Sequence, residues 1–163
     1  THTAPSSTGL GRAYPDYMAM IIFGLITLGA LVGVPAFAIL YGYTWLDWTM
    51  FGLLYVVTGL GITVGYHRLM ATVASLAQLG QGWFLIAGAW ALQNSALKWA
   101  ADHIRHHAHT DQEQDPYNAQ QGFWYSHCGW LFFKKVHADQ KYASRLRQDP
   151  VVMWQHHFYL PLV

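Results

Sequence analysis

Residues 17–41 read YMAMIIFGLITLGALVGVPAFAILY, 25 positions without one charged side chain. The hydrocarbon core of a bilayer takes about 20 helical residues. Gly24, Gly29, Gly33 and Pro35 would weaken a helix in water, but a membrane-spanning helix tolerates them. A short aromatic linker, YGYTWLD (41–47), suits a membrane interface, and a second uncharged run follows from about Trp48 to Tyr66. Together these stretches predict a transmembrane helical hairpin. Two buried core helices of a soluble protein are the alternative, and the length and missing charges argue against it.

Outward from the hairpin the charge changes abruptly. Residues 1–97 hold four of the seventeen charged side chains, Arg12, Asp16, Asp47 and Arg68, and the rest lie between Lys98 and Asp149. Lys and Arg bias their segments to the cytoplasm, so Lys98–Arg147 is expected there, and an even number of spans puts the N-terminus there too. The net charge of +1 and the lack of a basic run give no footprint for nucleic acid. The single cysteine, Cys128, excludes a disulfide or a multi-cysteine metal site within these residues. Residues 1–13 are small and polar, read as a disordered lead-in, and lack the pattern of a signal peptide. The stretch 73–97 is apolar but carries Gln78, Gln81, Gln93 and Asn94. It is expected to lie in the interface or on the cytosolic part, because both its flanks carry polar machinery. The predicted fold is all-α and integral to the membrane: spans at about 17–41 and 48–66, and a cytosolic helical cap over 67–158.

The cap holds ADHIRHHAHTDQEQDPYN (101–118), with four histidines in seven positions. No Pro or Gly interrupts 94–109, which reads as helix. His103, His106 and His107 then fall at i, i+3 and i+4 on one face, with His109 off it. Such a face can hold one metal ion or divide between two, and Asp102 or Asp111 can orient a ring through its second nitrogen. His67 ends the second span, where an ionisable group is a functional candidate. All-imidazole ligation suits zinc, copper, iron or nickel without choosing among them. H-E-x-x-H is absent, which disfavours a zinc protease. A bis-histidine haem electron carrier would instead place single histidines across two facing spans.

GYHRL (65–69), DHIRHH (102–107), DQEQDPYN (111–118) and GFWYSHCGWLF (122–132) occur in this order. The set resembles the membrane fatty acid desaturases, most of all the bacterial acyl-CoA (Δ9-type) desaturases, from Tyr14 to Val163. The resemblance implies a histidine-ligated centre of two Fe, with the histidine boxes on the cytoplasmic side of a membrane, the bacterial inner membrane. It implies O2 as co-substrate and a cis double bond placed in a fatty acyl-CoA or acyl-lipid. Electrons would come from a ferredoxin or a b-type cytochrome. A hydroxylase of the same superfamily is the nearest enzymatic alternative, and a non-catalytic membrane remnant is a further one. His67 matches the first box, and His103, His106 and His107 match the second. Gln93 and Trp99 match positions at the bend of the acyl tunnel. Asn94, Asp102, Lys134 and Lys135 match positions near the thioester or CoA end. Gly122-Phe123-Trp124, with His127 and Trp130, reads as core and support for ligands.

Three departures stand out. The second histidine of the first box falls at Thr72, an arginine expected before Asp102 is Ala101, and no third box is present by Val163. His156 and His157 sit in WQHHFY, a context that resembles a linker before a span. The chain is thus expected to be the N-terminal part of a desaturase, with four of the usual ligands and inactive alone. Thr72-Val73-Ala74-Ser75 also has a specific explanation. Codons for His-Arg-Ser-Phe that lose their first base can read Thr-Val-Ala-Ser. A one-base loss, restored before Gln93, is therefore expected in the nucleotide sequence. Codons at 72–75 that cannot be so derived would refute the frameshift.

Overall fold

The computed structural model describes residues 14–70, 78–134 and 140–163. The lead-in 1–13, Thr72 and Lys135 lie outside the described residues. The first span is one helix, Tyr17–Tyr41. Asp16 opens it by accepting from the amide of Ala19 at 3.1 Å. The helix widens to π winding over Gly29–Gly33 and returns to α over Val34–Tyr41. Pro35 accounts for the change: it lacks an N–H and its ring crowds the carbonyl four residues back, which a wide turn relieves. Gly42, at φ +72°, ends the span. Thr44 and Asp47 then form a reciprocal capping box. The second span therefore starts at Trp45, three residues earlier than expected, and runs to His67.

Of the most apolar window in each span, 0% of the first and 11% of the second is buried inside the protein. Core helices of a soluble protein would be covered, so the soluble alternative fails. Apolar side chains such as Ile21, Leu25, Leu31, Phe51 and Leu54 face outward in a continuous sleeve. A sleeve of this kind is at home in lipid.

From Gly61 to Met70 the second span also adopts π winding. The Gln78–Ala89 helix crosses it there. A Cβ on Gly61 would run into the backbone of Ala87 and Gly88, one on Gly88 would strike the Tyr66 ring, and one on Gly65 would lie 2.9 Å from Phe84. Small residues let the two backbones approach closely, as in membrane helix pairs. The stretch 78–89 thus packs on the end of the second span that carries His67, and its 12 described residues are fewer than the roughly 20 that a bilayer core takes. Among the described residues, the buried apolar set is Tyr66, Leu85, Ala89, Ala96, Leu97, Ala100, Ala101, Ala143 and Val152. Alanine predominates, so this core is built by close approach of helices.

Left-handed backbone at Leu92 and Asn94 breaks the chain direction after the crossing helix. Ser95 then caps the helix Ala96–Ala108, which carries the histidine cluster. This break is why the helix starts two residues later than expected. Tyr14–Pro15 pairs antiparallel with Phe133–Lys134, the amide of Asp16 donates to the Phe132 carbonyl at 2.8 Å, and the Phe132 ring meets Phe23 edge-on. These contacts tie the cap to the start of the first span. The expected core role of Phe123 and Trp124 is corrected: they are 68% and 74% exposed, beyond the turn at Gly122, where φ is +97°. Trp130 does pack inward, on Tyr117 at 4.6 Å between ring centroids.

Gly61→Val is expected to destabilise the chain by about 1–3 kcal/mol or more, because neither backbone can yield. Gly80→Ala, where the added methyl meets nothing within 4 Å, is expected to be neutral or stabilising by about 0.5–1 kcal/mol. Unfolding in mixed micelles measures both. Equal effects would mean that the helices do not cross at Gly61.

Candidate metal centre

His67, His103 and His107 converge. One ligand nitrogen from each lies within 4.8 Å of the others. Ring centroids are 4.8 Å apart for His67 and His103, 4.6 Å for His103 and His107, and 6.1 Å for His67 and His107. His103 and His107 meet because they are four residues apart on one helix. His67 arrives from the π-wound end of the second span, where the change of winding resets the direction of each later side chain.

The donor set fits a metal ion. Nε2 of His107 lies 3.0 Å from Nε2 of His103. With metal–imidazole bonds of about 2.0–2.1 Å, that spacing subtends roughly 90° at a single ion. Burial, and then the neighbouring His107, His67 and His106, pull the His103 imidazole down to about 4. It is therefore neutral at pH 7, the form that ligates. Trp99 stacks on the His103 ring at 4.4 Å and 23°, and its Nε1 donates to Gln93 Oε1 at 3.2 Å. Of the expected pair, Trp99 thus sits directly against the cluster, and Gln93 holds Trp99 through that hydrogen bond.

His106 neighbours this cluster but is not among the three histidines whose ligand nitrogens converge. Its ring lies 5.9 Å from His103 and 5.6 Å from His107, and its Nδ1 bonds Asp115 Oδ1 at 2.9 Å. This leaves Nε2 as the ring nitrogen not engaged by Asp115. Asp115 is completely buried, and its carboxylate also accepts from the amides of Asp111 and Tyr117. Burial alone would push the Asp115 carboxyl up, but the bond from His106 and the two amides outweigh it and hold it below its usual range. The acid that orients a ring is thus Asp115, where Asp102 or Asp111 was expected. A signal was present: Asp-Pro favours a turn in which the carboxylate caps its own downstream amides. Asp111 instead accepts from the Ala119 amide, and Asp102 lies near enough to Tyr117 to help burial raise that phenol.

The remaining candidates are distributed around this centre. The amide of Asn94 donates to the Tyr159 hydroxyl at 3.1 Å, and its carbonyl accepts from Tyr66 at 3.2 Å. Lys134 pairs its backbone with Tyr14. His109, off the ligand face as expected, bonds the Tyr142 hydroxyl at 2.9 Å.

Two lipid-compatible helices, with an all-imidazole cluster able to hold a metal ion at the end of one of them, define a helical membrane protein with a candidate metal site. No family profile matches the chain. It is 38% identical over 148 residues to an acyl-CoA desaturase of Ovis aries, and 38% identical over 148 residues to a stearoyl-CoA desaturase of Homo sapiens. It is 40% identical over 151 residues to an acyl-CoA desaturase of Cyprinus carpio. These alignments cover 87%, 87% and 88% of the chain, but only 40%, 40% and 45% of the relatives. The chain therefore spans less than half the length of these three relatives, and it belongs to the fatty acid desaturase family.

The depressed His103 sets a pH signature. Its folded midpoint, about 4, lies below the unfolded value of about 6.5. Its contribution to stability is thus complete above about pH 6.5 and is lost as pH falls towards 4. The metal-free chain is expected to lose stability as pH falls from about 6.5 to about 4, and His103→Gln to flatten that slope. NMR titration should place the ring midpoint near 4; a midpoint at or above 6 would mean the ring does not sit in this cluster.

Proposed function

We propose that the chain is part of a fatty acyl desaturase, and that its residues supply about half of a di-iron centre. The observation that supports this is the convergence of His67, His103 and His107 in a relative of acyl-CoA desaturases. We assign these three imidazoles to one ion, and His106 Nε2, oriented by Asp115, to the second. When bound, two Fe would supply the O2 chemistry that removes two hydrogens from an unactivated acyl chain and leaves a cis double bond.

The chain's own residues hold and shape. Trp99, fixed by Gln93, keeps the His103 ring in place and offers an apolar wall to a narrow acyl passage. Asn94 and Asp102, with Lys134 and Lys135, are assigned to the polar end of the substrate. The relatives' names favour acyl-CoA over acyl-lipid there, and two lysines suit its phosphates. The electron donor is assigned to ferredoxin or b-type cytochrome chemistry at the cap, on the cytoplasmic side of the membrane. Thr72 stands where a further ligand is expected, and a hydroxyl is a weak partner beside imidazoles. A haem carrier is disfavoured because axial ligands must oppose each other across a macrocycle, whereas His103 and His107 have nitrogens 3.0 Å apart.

The chain in nanodiscs, titrated with Co2+, is expected to bind fewer than two ions, weakly, with visible ligand-field bands. His103→Ala should abolish those bands and His106→Ala should spare the first ion. Tight binding of two irons by these residues alone would overturn the half-site assignment. The reading frame containing these residues, expressed in a host without desaturase, is expected to yield cis-unsaturated fatty acids by gas chromatography. Hydroxylated products would favour the hydroxylase, and unchanged fatty acids the non-catalytic remnant. Topology is checked separately. A cysteine placed at Gln112 should resist labelling from outside the cell, and strong labelling would invert the membrane assignment.

A further inference from the structure

Gln155 is a polar side chain with 0% exposure, on the Pro150–His157 helix. Every polar atom of its amide is engaged, and each partner lies on a different element. Oε1 accepts from the Ala96 amide at 3.0 Å, and Nε2 donates to the Tyr66 hydroxyl at 2.8 Å and to the Leu85 carbonyl at 3.5 Å. Ala96 begins the helix that carries His103 and His107, and its N–H is one of the orphan donors of a helix start. Leu85 lies on the crossing helix, and Tyr66 is the residue before His67. The Tyr66 hydroxyl continues the chain to the Asn94 carbonyl at 3.2 Å.

We infer that Gln155 is a positioning residue, which sets the His67 imidazole against His103 and His107 by joining Tyr66 to the start of the histidine helix. This rests on the proposed metal centre for its purpose, but not for its geometry. His67 and the His103–His107 pair come from separate elements, and among the described residues no backbone hydrogen bond joins them. An apolar side chain in the same place could fill volume but would leave register free, since hydrophobic packing is non-directional. An amide with three directed bonds allows one arrangement. Because Ala96 is seven residues before His103, about 10 Å of helix carries any shift at this joint to the cluster.

The test compares the metal-free chain with Gln155→Met, by inter-ring NOEs in a chain with labelled histidine and tryptophan. The Trp99–His103 contact lies within one helix and reports its integrity, whereas the His67–His103 contact crosses the joint. Gln155→Met is expected to lose the His67–His103 NOE, keep the Trp99–His103 NOE, and weaken Co2+ binding about tenfold or more. Retention of both NOEs would overturn the inference. If Gln155→Met loses both through unfolding, Tyr66→Phe, which removes only the hydroxyl, is judged by the same two NOEs. A parent chain that shows both NOEs but binds no Co2+ would refute the metal reading, and the NOE result would still decide the role of Gln155.

Discussion

Everything at the histidine end of the molecule depends on two glycine backbones touching. Where Gly61 meets Gly88, the crossing helix lies against the second span with no side chain between them. That approach buries Tyr66 and brings Leu85 within reach of Gln155. The turn after the crossing helix then starts the histidine helix beside the end of the span. In lipid there is no hydrophobic force to press helices together, so close van der Waals contact has to do it. The alanines of the core, most of them in the cap, likewise let helices approach closely.

The two halves of the chain obey different solvents. In the spans, lipid obliges the backbone to satisfy itself, and side chains are free to be apolar on all sides. In the cap, buried polar groups must find partners, and they do. Asp115 gathers His106 and two amides, and Gln155 gathers an amide, a hydroxyl and a carbonyl. Direction enters the structure through these groups, and the imidazoles inherit it.

The parts legible in the sequence were those with a period or a motif. Uncharged length disclosed the spans, the i, i+4 spacing disclosed His103 and His107, and the order of four motifs disclosed the family. The parts that were not legible depend on contacts between distant segments. His106 reads like its neighbours until Asp115, nine residues on, draws it aside. Phe123 and Trp124 look like core because they are aromatic, yet Gly122 turns them outward. Gln155 carries no motif at all. Its weight comes from a Tyr 89 residues earlier in the chain. The π winding under His67 is likewise silent in composition, since it answers to how the crossing helix sits on Gly61 and Gly65.

The box formed by Thr44 and Asp47 bears on how the hairpin reaches its final place. On the topology proposed above, both ends of the hairpin stay on the cytoplasmic side and its turn is the part that is translocated. Between Tyr17 and His67, Asp47 is the one charged side chain. Its carboxylate is held by the Thr44 amide at 2.7 Å and the Thr44 hydroxyl at 2.6 Å, at a helix start whose dipole favours an anion. The turn thus enters the bilayer with its only ionised group already solvated by the chain itself. Acidic residues weigh little in orienting a span, whereas a lysine there would resist crossing. On that topology, the capping box eases the passage of the hairpin's own loop across the bilayer.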